Sequence, residues 1–158
     1  MEVAMNASIK QRETRIVTRN RTPENIHMAK SSYDWSIEGD EAKRKQDFKS
    51  ALFSYKKAYE STKPEGVRYL VAKVSSCYRK INRPQAALNF YHEARRQYGD
   101  NAIDHAVLTS IAGAYGDLKK WKEALSCANY ACELNDGVIT SHLDAVYGRI
   151  SYNTSNYH

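Results

Sequence analysis

The residues able to carry chemistry are thinly spread along this chain. Its histidines stand at His27, His92, His105, His142 and His158, and none falls in the His-Glu-Xaa-Xaa-His spacing that sets two imidazoles on one helical face around zinc. Cys77, Cys127 and Cys132 lack the paired spacing of a zinc site or a redox motif. Cys127 and Cys132 lie on different sides of one predicted helix, so core packing is expected of all three thiols rather than a disulfide or a shared ligand. Gly113-Ala114-Tyr115-Gly116 falls in or at the end of a predicted helix, where glycines let backbones approach or stop the helix. No glycine-rich phosphate loop and no nucleophile elbow is present. The chain therefore reads as non-enzymatic, with no catalytic residue, metal site or cofactor expected.

The totals narrow the classes further. A chain of 158 residues is one domain's worth, long enough to bury a continuous core. Lys and Arg number 24 against 18 Asp and Glu, a net charge of +6, which permits an acidic partner without demanding one. Unpaired cysteines fit a reducing compartment, most simply the cytoplasm. There is no apolar run of membrane-spanning length and no signal-peptide pattern, so no membrane association is expected. The Asn-Xaa-Ser/Thr triplets at Asn6, Asn20 and Asn153 then read as chance matches.

The elements that must position any site begin with the stretch Lys45 to Pro64. Its apolar residues fall at Phe48, Ala51, Leu52, Tyr55, Ala58 and Tyr59, one stripe of an amphipathic helix. Asp47 stands where a short carboxylate caps the first turn, and Pro64 follows the last. The pattern returns as Pro84, Ala87, Leu88, Tyr91, Ala94 and again as Trp121, Ala124, Leu125, Ala128, Ala131, Cys132. The interval is 36 residues from Ala51 to Ala87 and 37 from Ala87 to Ala124. Each copy has a helical partner upstream: Trp35, Gly39, Ala42; then Val71, Val74, Ser75, Tyr78; then Leu108, Ile111, Ala112, Tyr115. Small residues at fixed places let paired helices approach, and large neighbours fill the gaps.

On these residues the chain resembles the tetratricopeptide repeat (TPR) family. Trp35, Gly39, Phe48, Ala51, Tyr55, Ala58 and Pro64 supply nearly the whole signature once. The second copy keeps Tyr78, Ala87, Tyr91 and Ala94 with Pro84 in place of an aromatic. The third keeps Tyr115, Trp121, Ala124 and Ala131 with Ala128 in place of an aromatic. The resemblance implies an all-α solenoid of three stacked helix-turn-helix repeats plus a C-terminal capping helix. The intervals exceed the family's usual repeat of about 34 residues, so a residue or two must be absorbed in the turns or as an extra helical step.

The expected organisation is a basic, flexible N-terminal arm over residues 1–31, repeats over 32–65, 66–100 and 101–137, a capping helix over 138–151, and a polar tail over 152–158. The arm carries Lys10, Arg12, Arg15, Arg19, Arg21 and Lys30 against Glu2, Glu13 and Glu24. Its segment Thr14 to Thr18 would suit an extended strand if an edge were offered. Thr62 to Gly66, Tyr98 to Asn101 and Leu134 to Gly137 supply the stops between repeats. Ile139, Leu143, Val146, Tyr147 and Ile150 form the stripe of the cap that a stack of hairpins needs over its last apolar face.

In TPR stacks the first helices line a concave groove that binds an extended peptide or a partner helix. The resemblance therefore places Tyr33, Ser36, Asp40, Lys43 and Arg44 in the groove, with Tyr69, Ala72, Lys73, Ser76, Arg79 and Lys80, then Ala106, Thr109 and Gly113. The cations on this wall favour an acidic partner. Lys43, Arg44, Arg79 and Lys80 also fall at helix ends, where a cation complements the macrodipole and needs no ligand, and both readings stand on the sequence alone. The clamp by which some family members hold a chaperone's terminal carboxylate is absent, since Ser36, Asp40, Lys73, Ala106 and Ser110 occupy its places. The expected function is a protein-protein interaction module, an adaptor, scaffold or small chaperone. The alternative is a nucleic-acid-binding or structural subunit using the basic arm and groove.

Overall fold

The computed structural model describes residues 29–155. The expected basic arm, including Thr14 to Thr18, lies almost wholly outside them. The described residues form seven α-helices and no strand: α1 (Ser32–Arg44), α2 (Phe48–Glu60), α3 (Val67–Lys80), α4 (Pro84–Tyr98), α5 (His105–Asp117), α6 (Trp121–Leu134) and α7 (Ser141–Ser155). Helices α1 and α2, α3 and α4, and α5 and α6 pack as hairpins. Each hairpin nests on the next, with α3 against α5 and α5 against α7 in one row.

Local chemistry sets the boundaries. Ser31 caps α1 through a reciprocal box in which its hydroxyl accepts the Asp34 amide and the Asp34 carboxylate accepts the Ser31 amide. Asp47 and Asp104 accept the amides of Ser50 and Val107 at 3.1 and 2.9 Å. Each hairpin turn is a left-handed residue after the first helix: Gln46 (φ 60°), Asn82 (φ 61°) and Lys119 (φ 60°). The next amide then reaches back to a carbonyl of the last helical turn, from Asp47 to Ala42, Arg83 to Tyr78 and Lys120 to Tyr115. This closure satisfies carbonyls that a helix end leaves open. Because all three turns share it, the extra residues are absorbed between repeats, in 3₁₀ turns at Pro64–Gly66 and Gly99–Ala102.

The core is built as the small-large pattern requires. Ala51, Ala58, Ala87, Ala94, Ala124, Ala128 and Ala131 are buried, and Tyr55, Val67, Val71, Val74 and Ile111 are buried with them. Each large aliphatic buried this way contributes about 1.5–3 kcal/mol relative to exposure. Gly39 shows why a small residue is needed, since a methyl group there would sit 2.6 Å from the Tyr55 ring. Trp35 meets Phe53 edge-on at 5.9 Å, and Tyr59 packs on Phe90 at 4.8 Å and Tyr98 at 6.1 Å. Cys77 is buried, and burial pushes its thiol up to about 11, the condition of a packed, unreactive group.

The last helix differs from the expected 138–151 at both ends. The Thr140 hydroxyl accepts the Leu143 amide at 3.1 Å, so the helix starts at Ser141 and leaves Val138 and Ile139 outside it and exposed. It then runs through the expected polar tail to Ser155. There Asn153 donates to the Arg149 carbonyl and Thr154 to the Ile150 carbonyl, both at 2.8 Å. Leu143 and Ile150 are its buried residues.

Candidate partner-binding groove

The row of first helices carries one recurring face. On α1 it is Tyr33, Ser36, Ile37 and Asp40, and 36 residues on it is Tyr69, Ala72, Lys73 and Ser76 of α3. On α5, 37 residues further, it is Ala106, Thr109, Ser110 and Gly113. On α7, after another 36, it is His142, Ala145, Val146 and Arg149. The spacing i, i+3, i+4, i+7 keeps each set on one side of its helix.

Between α3, α5 and α7 these faces, Gly113 excepted, line an open cavity of about 630 Å³, to which Lys43, Arg79, Asp104 and His105 also contribute. The α1 face and Tyr69 line a neighbouring cavity of about 540 Å³. Ser76, Arg79 and Arg149 border a third, of about 400 Å³, together with Lys80, Asn82 and Asp117.

The charges on this wall are of two kinds. The first is centred on Asp40, which accepts the Tyr55 hydroxyl at 2.5 Å and lies 3.9 Å from the Lys73 ammonium. Burial, then the bond to Asp40, raises the Tyr55 phenol; burial, then the Asp40 charge, raises Tyr69. The Lys73 ammonium sits over the Tyr69 ring at 5.2 Å. Burial lowers its pKa, the neighbouring Lys43 charge lowers it further, and Asp40 opposes both. Lys43 and Lys73 thus both border the cavity of about 630 Å³, with Asp40 as the carboxylate beside Lys73.

The second kind is a bridge across three helices. Asp117 of α5 accepts Arg79 Nε of α3 at 2.7 Å and Arg79 Nη2 at 3.2 Å. Arg149 Nη1 of α7 approaches the same carboxylate at 2.9 Å. Burial works against ionisation of Asp117, but the Arg79 bond and charge, joined by those of Arg149, hold its pKa below the usual carboxylate value. A methyl group on Gly113 would lie 2.2 Å from Arg79 Nη1, so the missing side chain is the space the guanidinium occupies. Arg149 lies 5.8 Å over the Trp121 ring.

The structure sorts the expected groove residues accordingly. Lys43, Tyr69, Lys73, Ser76, Arg79 and Thr109 border the cavity of about 630 Å³; Tyr33 and Asp40 border its neighbour; Lys80 borders the third. Arg44 borders none of these three and is paired with Glu41 of its own helix at 2.7 Å. Gly113 is buried beneath Arg79. Sequence reasoning missed Asp104, His105, Asp117 and the whole contribution of α7: His142, Ala145, Val146 and Arg149. The signal was the repeat register itself, because adding 36 to Ala106, Thr109, Ser110 and Gly113 lands on those four positions.

Comparison with protein-family models finds no match, and comparison with curated proteins finds none. Among solved structures, the chain is similar to the TPR domain of Sgt2 from Aspergillus fumigatus, with 13% identity, coverage of 86% of this chain and 82% of that one, and a TM-score of 0.69. At that identity the likeness is one of fold. The protein is a tetratricopeptide-like α-solenoid, in which α7 extends the row of first helices and lines the cavity of about 630 Å³.

Proposed function

We propose that the protein is a protein-protein interaction module, an adaptor or scaffold that holds an acidic segment of a partner protein against the first-helix row. The observation that carries this reading is the gathering of Lys43, Lys73, Arg79 and Arg149 on the wall of one cavity, where an entering anionic group eases the repulsion between neighbouring cations. Exposed Tyr33 and Tyr69 offer flat apolar area beside it at low entropic cost. Val146, Ala72 and Ala106 leave room for an apolar anchor. A nucleic-acid backbone suits this surface less well, because Asp40, Asp104 and Asp117 interrupt any continuous path of cations. Free thiols in the packed helices accord with work in a reducing compartment, the cytoplasm.

The test is capture from native lysate by the intact chain, with and without nuclease, beside the variant Lys43→Gln/Lys73→Gln and the surface control Lys122→Gln. A partner protein retained by wild type and control, insensitive to nuclease and lost with the double variant, is the expected result. Retention by the double variant at full strength, or loss on nuclease treatment, refutes the groove reading.

A further inference from the structure

We infer that the third cavity, bounded by Arg79, Lys80 and Arg149 around Asp117, is an oxyanion receptor that takes the carboxylate or phosphate of a partner side chain. Three cations face one carboxylate there. The C-terminal ends of α3 and α5 each contribute roughly half a negative charge, which leaves a surplus of about one positive charge in a cavity of about 400 Å³.

The helix dipole accounts for Arg79 and Lys80, which stand in the last turn of α3. It does not account for Arg149, which lies in the interior of α7 (Ser141–Ser155) and still reaches the same carboxylate. Asp117 therefore holds two guanidinium groups side by side that would otherwise repel, and so prepares them for an incoming anion.

Donors remain for such a ligand. Arg149 meets Asp117 through Nη1 and keeps an exposed edge, with 41% of its side chain accessible. Lys80 is exposed, lying 5.6 Å over the Phe48 ring. The Asn82 amide and the Ser76 hydroxyl supply neutral hydrogen bonds. A planar guanidinium offers paired N–H groups that match two oxygens of a carboxylate or phosphate. Because Ser76, Arg79 and Arg149 border the cavity of about 630 Å³ as well, a segment seated there can extend an acidic or phosphorylated side chain into this receptor. The source of the oxyanion rests on the proposed function; the receptor itself does not.

The test is an NMR titration of the full chain that follows the arginine Nε–Hε resonances, with phenyl phosphate, acetate or chloride added at matched ionic strength. Saturable shifts at Arg79 and Arg149 with phosphate or acetate, and none with chloride, are expected. Tighter binding of phenyl phosphate assigns the receptor to phosphorylated side chains, and tighter or equal binding of acetate assigns it to acidic ones. Arg149→Gln should weaken the better ligand about tenfold, the scale of one lost charge-assisted hydrogen bond. Lys80→Gln, at an exposed position, should weaken it in the same direction should Arg149→Gln fail to fold. No saturable shift, an equal response to chloride, or an affinity unmoved in the folded variants overturns the receptor. If partner capture through Lys43 and Lys73 persists at the same time, the groove reading survives that loss.

Discussion

Replacing Gly113 by Ala should destabilise the protein, although alanine is the better helix former. In an open helix interior the exchange is worth about 1 kcal/mol in favour of alanine. At this position the new methyl group would lie 2.2 Å from Arg79 Nη1 and 2.3 Å from Arg79 Cζ, so the guanidinium must leave its seat. What is lost is the pair of bonds to Asp117 at 2.7 and 3.2 Å, between side chains 28% and 23% exposed. Charge-assisted bonds of that kind contribute about 1.5–3 kcal/mol, and Asp117 keeps Arg149, so no buried charge is orphaned. The difference is a net loss of about 1 kcal/mol. The decisive measurement is a double-mutant cycle by urea unfolding, with midpoints compared at constant m. With Arg79→Ala already present, Gly113→Ala should stabilise by about 1 kcal/mol. If Gly113→Ala stabilises both backgrounds alike, the notch and the bridge above it are refuted.

Gly39→Ala should cost about 1–3 kcal/mol, because its methyl group meets the fully buried Tyr55 ring. Gly148→Ala, with open space around it, should raise stability by about 1 kcal/mol, and thermal unfolding of the two variants checks both signs. Lys119→Gly, at a left-handed turn position, should add about 1 kcal/mol by the same assay, since it relieves a crowded β-carbon. The depressed pKa of Asp117 stabilises the folded state above the ordinary carboxylate value of about 3.9 and is lost as pH falls through the lower folded value. The stability difference between wild type and Asp117→Asn should therefore be flat above about pH 5 and shrink below about pH 4, as chemical unfolding across that range would report.

Much of the fold was legible because its determinants are local and repeated. Ala51, Ala87 and Ala124 fall in register, and each hairpin turn puts one left-handed residue at Gln46, Asn82 or Lys119. The end of the stack was less legible. Ile139 shares the apolar stripe of α7 by periodicity, but the Thr140 hydroxyl starts the helix after it, and a cap outweighs one more apolar residue at a helix end. Reading α7 only as a cover for the core hid its other side, where His142, Ala145 and Arg149 border the cavity of about 630 Å³, with Val146 shared between that cavity and the core.

Helix positions, their pairing and the face that each first helix turns to the cavities follow from spacing, since 3.6 residues per turn convert a pattern of residues into a direction. The division of the cations was decided only in three dimensions. Lys73 lies between Asp40 and the charge of Lys43, Arg44 is occupied by Glu41, and Arg79 and Arg149, 70 residues apart in the chain, meet on Asp117. Coulomb energy depends on separation and burial, and packing alone sets both for residues so far apart along the backbone.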